Sequence, residues 1–140
     1  MLTAVEIRRL GPDDTETLAR VLVTFRGPDD RPDPAFLVDG AGVALVAADG
    51  DEVLGWAWGH ELHRPNGTRT LVLQEIEVVE AQRSQGLGRR LLDAFVTHAH
   101  ERGLTRMWLF TDAGNEAANR LYRGAGGIPG PRAGYWWVFE

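Results

Sequence analysis

The sequence predicts an α/β (α+β) fold in which a mixed, mostly antiparallel central sheet is flanked by helices, as one domain over residues 1–140. Three observations lead there. Apolar runs at 43–48, 53–63 and 71–79 are joined by Asp49-Gly50-Asp51 and Asn66-Gly67, both hairpin turns. The third run leads into a glycine turn, Arg83-Ser84-Gln85-Gly86-Leu87-Gly88-Arg89, and then into an apolar-periodic stretch, 87–99, which reads as strand, tight turn, helix. A length of 140 residues at 44% hydrophobic content supports one core and is short for two.

Each element has its own signal. Residues 4–9 read as a first strand, and Gly11-Pro12-Asp13-Asp14 opens a helix whose Leu18, Val21, Leu22 and Phe25 share a face. A loop rich in proline and aspartate, 27–34, leads through the short segment 35–38 to the strand at 43–48. Strands at 53–63 and 71–79 follow across the two hairpins. After the glycine turn, Leu87, Leu91, Leu92, Phe95 and Ala99 recur on one helical face, and Gly103 ends that helix. A strand at 105–111, a helix at 115–125 and a terminal strand at 135–139 complete the order, with Trp136 and Trp137 expected in core and edge packing. An antiparallel first half with helices interspersed later implies a mixed sheet covered by helices.

Composition narrows the function classes. The chain has no run of about 18 apolar residues, and its first residues lack a basic segment followed by a hydrophobic core, so a soluble, cytoplasmic protein without membrane contact is expected. Without cysteine there is no disulfide, thiolate metal site or cysteine nucleophile. The pairs His60/His63 and His98/His100 lack the i, i+4 spacing of a helical chelate; solvated surface histidines and no metal are expected. Residues 1–52 hold 11 acids against 5 arginines, and residues 53–140 hold 9 against 10. Such asymmetry lets one side attract a cation while the glycine turn, flanked by Arg83, Arg89 and Arg90, receives an anion; a merely solvated acidic surface fits as well. A net charge of −5 and no continuous basic face argue against nucleic acid.

Two glycines at a helix entrance let the backbone approach a ligand, and the unpaired amides there, aligned with the helix dipole, favour phosphate. The spacing Arg-x-x-Gly-x-Gly is neither the dinucleotide fingerprint nor a P-loop, since no Gly-Lys-Ser/Thr follows. Taken alone, a glycine pair before a helix reads as a plain surface turn; with the rest of the chain, this one reads as a pyrophosphate cradle.

These residues also carry a resemblance. The turn with Arg83, Gly86 and Gly88, together with the later pattern Asn115, Ala118, Leu121, Tyr122 and Gly126, resembles the GNAT-superfamily N-acetyltransferases over nearly the whole chain. It implies a GNAT fold, acetyl-CoA as cofactor and direct transfer to an amine. Within that superfamily the chain is most similar to the short aminoglycoside 3-N-acetyltransferases, through Glu6-Ile7-Arg8-Arg9-Leu10-Gly11-Pro12-Asp13-Asp14, Val53-Leu54-Gly55 and Gln74-Glu75-Ile76-Glu77-Val78. Glu75 stands where that family places a catalytic aspartate, one methylene longer. Gln74 replaces an aromatic residue, and Trp56 and Trp58 replace smaller ones, which reshapes the acceptor pocket. The second pattern closes with Gly126-Gly127-Ile128 rather than a single glycine.

The resemblance implies roles. An amine attacks a thioester only when unprotonated, so a carboxylate must take its proton, and Glu75 is that base. Glu77, two residues on and on the same face, shares the task or contacts the substrate. Taken from the residues alone, the pair reads as the solvated side of a half-buried strand. The backbone amide at Val78 is placed to stabilise the developing oxyanion. Tyr122 protonates the leaving thiolate, against a packed helix aromatic as the plain reading. The cofactor is held by Ile76, Val78, Val79, Arg83, Ser84, Gln85, Gly86, Leu87, Gly88 and Arg89, with Asn115 either bonding the pantetheine arm or capping its helix. The acceptor implied is a cationic small-molecule amine, an aminoglycoside first and its 3-amino group in particular. A polyamine, a basic peptide, another small amine, or a non-catalytic acyl-CoA-binding module are the alternatives. A homodimer is common in the superfamily, although no patch in the sequence marks an interface.

Overall fold

The structure, a computed structural model, describes residues 4–130, Tyr135 and 137–139, and falls into two compact units, Met1–Phe110 and Thr111–Glu140. In the first unit the elements are β1 (Glu6–Arg9), α1 (Thr15–Arg26), α2 (Pro34–Val38), β2 (Gly42–Asp49), β3 (Glu52–His63), β4 (Arg69–Val78), a 3-10 turn at Glu80–Gln82, α3 (Leu87–Glu101) and β5 (Arg106–Trp108). The sheet runs β1-β2-β3-β4-β5, the first four antiparallel and β5 parallel to β4. Parallel neighbours cannot be joined by a hairpin, and α3 provides the crossover. This is the mixed sheet with flanking helices that the hairpin and glycine-turn signals predict.

The two faces of the sheet carry separate cores. Leu10, Leu18, Val21, Ala44, Val46, Val53 and Trp56 pack on the α1 side, with Leu22, Phe25, Phe36, Leu37 and Trp58 partly buried against them. The predicted stripe of α3, Leu87, Leu91, Leu92, Phe95 and Ala99, is buried on the other side, each large side chain contributing about 1.5–3 kcal/mol by leaving water. His98 belongs to this buried set and is not the solvated histidine expected. Its Nε2 lies 3.3 Å from Oε2 of the buried Glu61, which also accepts from Arg102 Nε and Nη2, each at 3.2 Å.

A bulge in β4 decides what the sheet presents. Trp58 pairs with Glu75 and Gly59 with Leu73, so Gln74 is the extra residue. A bulge switches the alternation of its strand. Leu71 and Leu73 therefore face α3, whereas Glu75 and Glu77 face α1 alongside their partners Trp58 and Trp56. Gly59 makes the close approach possible: a Cβ there would lie 1.8 Å from the Val72 carbonyl oxygen. β5 is shorter than the strand expected at 105–111, since its pairing with β4 ends at Val72↔Trp108, just before the bulge breaks the ladder.

In the second unit Asn115 caps α4 (Glu116–Gly124), its side chain accepting the Ala118 amide at 3.1 Å. Asn119 Nδ2 donates to the carbonyls of Asp112 (3.0 Å) and Asn115 (2.8 Å), tying down the preceding loop. Gly126, at φ 92°, turns the chain so that the Gly127 amide closes on the Tyr122 carbonyl at 2.9 Å. The terminal strand expected at 135–139 is not formed by Tyr135 or by 137–139, which are exposed, Trp137 included; Trp136 lies outside the described residues. Among the described residues no helix is long and apolar enough to cross a membrane.

Candidate active site

The centre of the site is the β3–β4 ladder on the α1 side. Trp58 faces Glu75 across the ladder and its indole Nε1 donates to Glu75 Oε1 at 3.1 Å. From the last position of α1, Arg26 reaches both glutamates: Nη2 donates to Glu75 Oε2 and to Glu77 Oε1 (2.6 Å), and Nη1 to Glu77 Oε2 (3.2 Å). Both carboxylates are half-buried rather than freely solvated. Burial pushes the Glu75 carboxyl up, but hydrogen bonding shared with Glu77, the bonds and charge of Arg26, and the Trp58 indole together hold it below the ordinary carboxylate value. Glu75 is thus ionised at neutral pH and able to accept a proton. Hydrogen bonding to Glu77 outweighs burial at Arg26 and strengthens its hold on its proton.

Aromatic rings wall this carboxylate pair. Phe25 stacks on Trp56 (6.3 Å) and Trp56 on Trp58 (6.2 Å), and Phe36 meets Trp58 (6.0 Å) and His60 (5.6 Å) edge-on. The Arg26 guanidinium lies 5.9 Å from the Trp56 ring centre, a cation–π distance. Trp56 Nε1 is buried without a hydrogen-bond partner among the described residues, which costs about 1–3 kcal/mol. Trp56 and Trp58, expected to reshape the acceptor pocket, stand beside the glutamates.

The glycine turn follows β4 after the 3-10 turn at Glu80–Gln82. Ser84 (φ 64°) and Gly86 (φ 84°) both take left-handed backbone conformations, the kind of curl from which anion-binding nests of backbone amides are built. Gly86 is the N-cap of α3 with no side-chain cap, and a Cβ on it would meet nothing within 4 Å. Open space at an uncapped helix start, where the first-turn amides of Leu87 and Gly88 have no intrahelical partner, fits a pyrophosphate. The Leu87 side chain is buried in the core, so only its backbone is available to a ligand. Arg83 Nε donates to the Val78 carbonyl (3.2 Å), binding the turn to the end of β4. Arg89 Nε pairs with Asp93 (2.9 Å), and Arg90 Nη2 donates to the Val5 carbonyl (3.2 Å).

Of the remaining predicted residues, Ile76 and Val78 lie on the α3 face of β4 opposite Ala57 and Gly55. β5 pairs only with Thr70, Leu71 and Val72, so this end of β4 lies beyond the strand pairing there. Val79 has both backbone polar groups engaged, its amide with Leu54 and its carbonyl with Gln82, each at 2.9 Å. In the second unit Asn115 acts as a helix cap, one of its two expected roles, and Tyr122 is half-buried, which raises its phenol above the ordinary value and keeps it protonated.

The model of the acetyltransferase (GNAT) family matches residues 13–126. The chain belongs to this family. Acetyl-CoA is the cofactor of GNAT acetyltransferases, and the uncapped α3 turn is of the kind that holds its pyrophosphate. Among curated relatives, mycothiol acetyltransferase of Renibacterium salmoninarum is 29% identical over 89 residues, 63% of this chain and 26% of that protein. The L-methionine sulfoximine/L-methionine sulfone acetyltransferase of Pseudomonas aeruginosa is 37% identical over 83 residues, 59% of this chain and 48% of that protein. The chain therefore spans between a quarter and half the length of these relatives. Among solved structures, an aminoglycoside acetyltransferase from an uncultured soil metagenomic sample in complex with sisomicin superposes with a TM-score of 0.88 at 16% identity, covering 98% of this chain and 97% of that one. At that identity the likeness establishes the GNAT fold.

Arg26 is the site residue that sequence reasoning passes over. A basic residue in the last turn of a helix is ordinary, since it complements the helix dipole, and no spacing marks one that reaches residues some fifty positions on. The bulge at Gln74 leaves no mark in β4 itself; its signal is Gly59, a glycine in the interior of the neighbouring strand.

Proposed function

We propose that this chain is an acetyl-CoA-dependent N-acetyltransferase acting on a cationic small-molecule amine, with an aminoglycoside, acetylated at its 3-amino group, as the leading acceptor. The observation that carries the reading is the half-buried Glu75–Glu77 pair, held on one face of β4 inside an aromatic wall and already bound to a cation, Arg26. Paired carboxylates beside aromatic rings suit ammonium groups carried on an apolar frame.

Bound acetyl-CoA supplies an acetyl thioester open to attack by an amine. Glu75 takes the proton that the amine must lose, and Trp58 keeps its carboxylate oriented through Oε1. Glu77 binds a second cationic group of the acceptor. The turn of Arg83, Ser84, Gln85, Gly86, Leu87, Gly88 and Arg89 orients the cofactor's phosphates through backbone amides, and Ile76, Val78 and Val79 line the approach from β4. Tyr122, a protonated phenol, donates to the departing sulfur.

The test is free-thiol release with gentamicin, sisomicin, kanamycin, spermidine, a basic peptide and L-methionine sulfoximine. Turnover with aminoglycosides alone supports the reading and calls for mapping of the acetylated nitrogen. Turnover with another member keeps the transferase and removes the aminoglycoside. Silence across the panel alongside coenzyme A binding favours a binding module.

A further inference from the structure

We propose that Arg26 is a further residue of the acceptor site: an internal cation that occupies the Glu75–Glu77 pair and must be exchanged for the acceptor's own charges, which acceptors with two ammonium groups supply in full and monoamines in part. The inference rests on the transferase reading of this site.

The contacts leave little room for simple addition. Glu75 Oε1 is bonded by Trp58 and Oε2 by Arg26, while both Glu77 oxygens are bonded by the two Arg26 terminal nitrogens. Each of the four carboxylate oxygens thus has a donor before any substrate arrives. Two carboxylates and one guanidinium leave one negative charge over. A monoamine that displaces Arg26 restores a single charge and loses the forked geometry, since an ammonium is a point charge where a guanidinium grips bidentately. A diamine that displaces it neutralises both carboxylates, one nitrogen at Glu75 in position to react and the other at Glu77.

Arg26 is also built to leave. Its side chain is 31% exposed, so its departure desolvates nothing and its charge passes into water. It ends α1, is followed by Gly27 at φ 111°, and rests against the Trp56 ring rather than inside the core. Among the described residues, the titratable groups in contact with the pair or its ring cluster are Arg26 from α1 and, across the rings, His60 from β3. His60 contacts the rings of Trp58 and Phe36 and does not replace Arg26 on the carboxylates.

The experiment compares 2-deoxystreptamine, a ring diamine, with cyclohexylamine, a ring monoamine, in the wild type, Arg26→Gln and Arg26→Lys. Binding is followed by calorimetry and by the fluorescence of Trp56 and Trp58, and acetyl transfer by thiol release. In the wild type the diamine is expected to bind more tightly than the monoamine, and in Arg26→Gln, where neither has a guanidinium to displace, both bind about tenfold more tightly, a gain equal to roughly 1.4 kcal/mol. In the lysine variant, whose ammonium does not grip bidentately, both affinities fall between these, and the acid limb of kcat/KM moves up in the glutamine variant as Glu75 loses its cation. Unchanged or weaker binding of both amines in Arg26→Gln, or no wild-type preference for the diamine, overturns the proposal. If no amine is acetylated but both bind more tightly, the transferase reading fails and the Arg26 assignment stands. If transfer proceeds with both affinities unchanged, the assignment fails alone. Should Arg26→Gln not fold, an Arg26→Lys variant with wild-type affinities overturns the proposal by itself, and tighter binding of both amines supports it.

Discussion

Replacing Gly59 by alanine tests the bulge that aims the glutamates. The new Cβ would lie 1.8 Å from the Val72 oxygen, 2.9 Å from the Val72 carbon and 3.2 Å from the Leu73 Cα. All three atoms are backbone, so no side chain can yield, and β4 must move by more than about 1 Å to reach even a tight contact. Overpacking of this kind, with the loss of one or two ladder hydrogen bonds, costs about 3–5 kcal/mol. At roughly 3 °C per kcal/mol for a chain of this size, Tm falls by about 10 °C or more. Urea unfolding followed by tryptophan fluorescence reads the stability directly, with Gly55→Ala and Gly50→Ala as a graded series. A Cβ at Gly55 meets the Glu77 oxygen and Leu91 Cδ1, each at 3.0 Å, for an expected cost of about 1–3 kcal/mol. At Gly50 nothing lies within 4 Å and only the φ of 59° resists, for about 1 kcal/mol. Acetyl transfer should fall further in Gly59→Ala than in a Gly55→Ala sample at matched folded fraction, because the same shift carries Glu75 away from Trp58. A Gly59→Ala protein within about 1 kcal/mol of Gly50→Ala and fully active would refute the reasoning.

Three other outcomes follow from the site and its surroundings. Glu75→Gln should lower turnover by about a hundredfold, near the low end for a general base because this carboxylate is held at low pKa, while calorimetry shows coenzyme A affinity unchanged; near-normal turnover would transfer the role to Glu77. Gly86→Val, placing a branched side chain at φ 84° in the open mouth of the turn, should abolish coenzyme A binding in a protein whose far-UV circular dichroism is retained, and normal binding would remove the cradle assignment. Burial, the largest influence, holds His98 below its ordinary value of 6.5 despite its bond to Glu61. The unfolded chain therefore takes up this proton more readily, and the stability His98 contributes is complete above pH 6.5 and lost as pH falls through the lowered value. Urea midpoints between pH 7.5 and 5.5 should decline less in His98→Gln than in the wild type. Glu61 is buried too, but its bonds to Arg102 and His98 outweigh that and hold its carboxyl low, so its own loss begins only below pH 4.5 and does not mask the comparison.

What the sequence determines by itself is local. Hairpins at Asp49-Gly50-Asp51 and Asn66-Gly67, the α3 stripe, the glycine turn and the Asn115 cap are all set by backbone preference or periodicity within a few residues, and each is found where those signals place it. The pairing of β2, β3 and β4 follows, because short turns force antiparallel neighbours, whereas β1 and β5 reach their places through longer connections that carry helices. The tertiary structure decided which side Glu75 and Glu77 face, since a bulge shifts the count by one residue and strand alternation carries no record of it. It also decided that His98 is buried against Glu61, and that the cation on the glutamate pair comes from Arg26, some fifty residues earlier. Such contacts join parts of the chain brought together only when sheet and helices pack, and the energy that selects them is shared across the whole core.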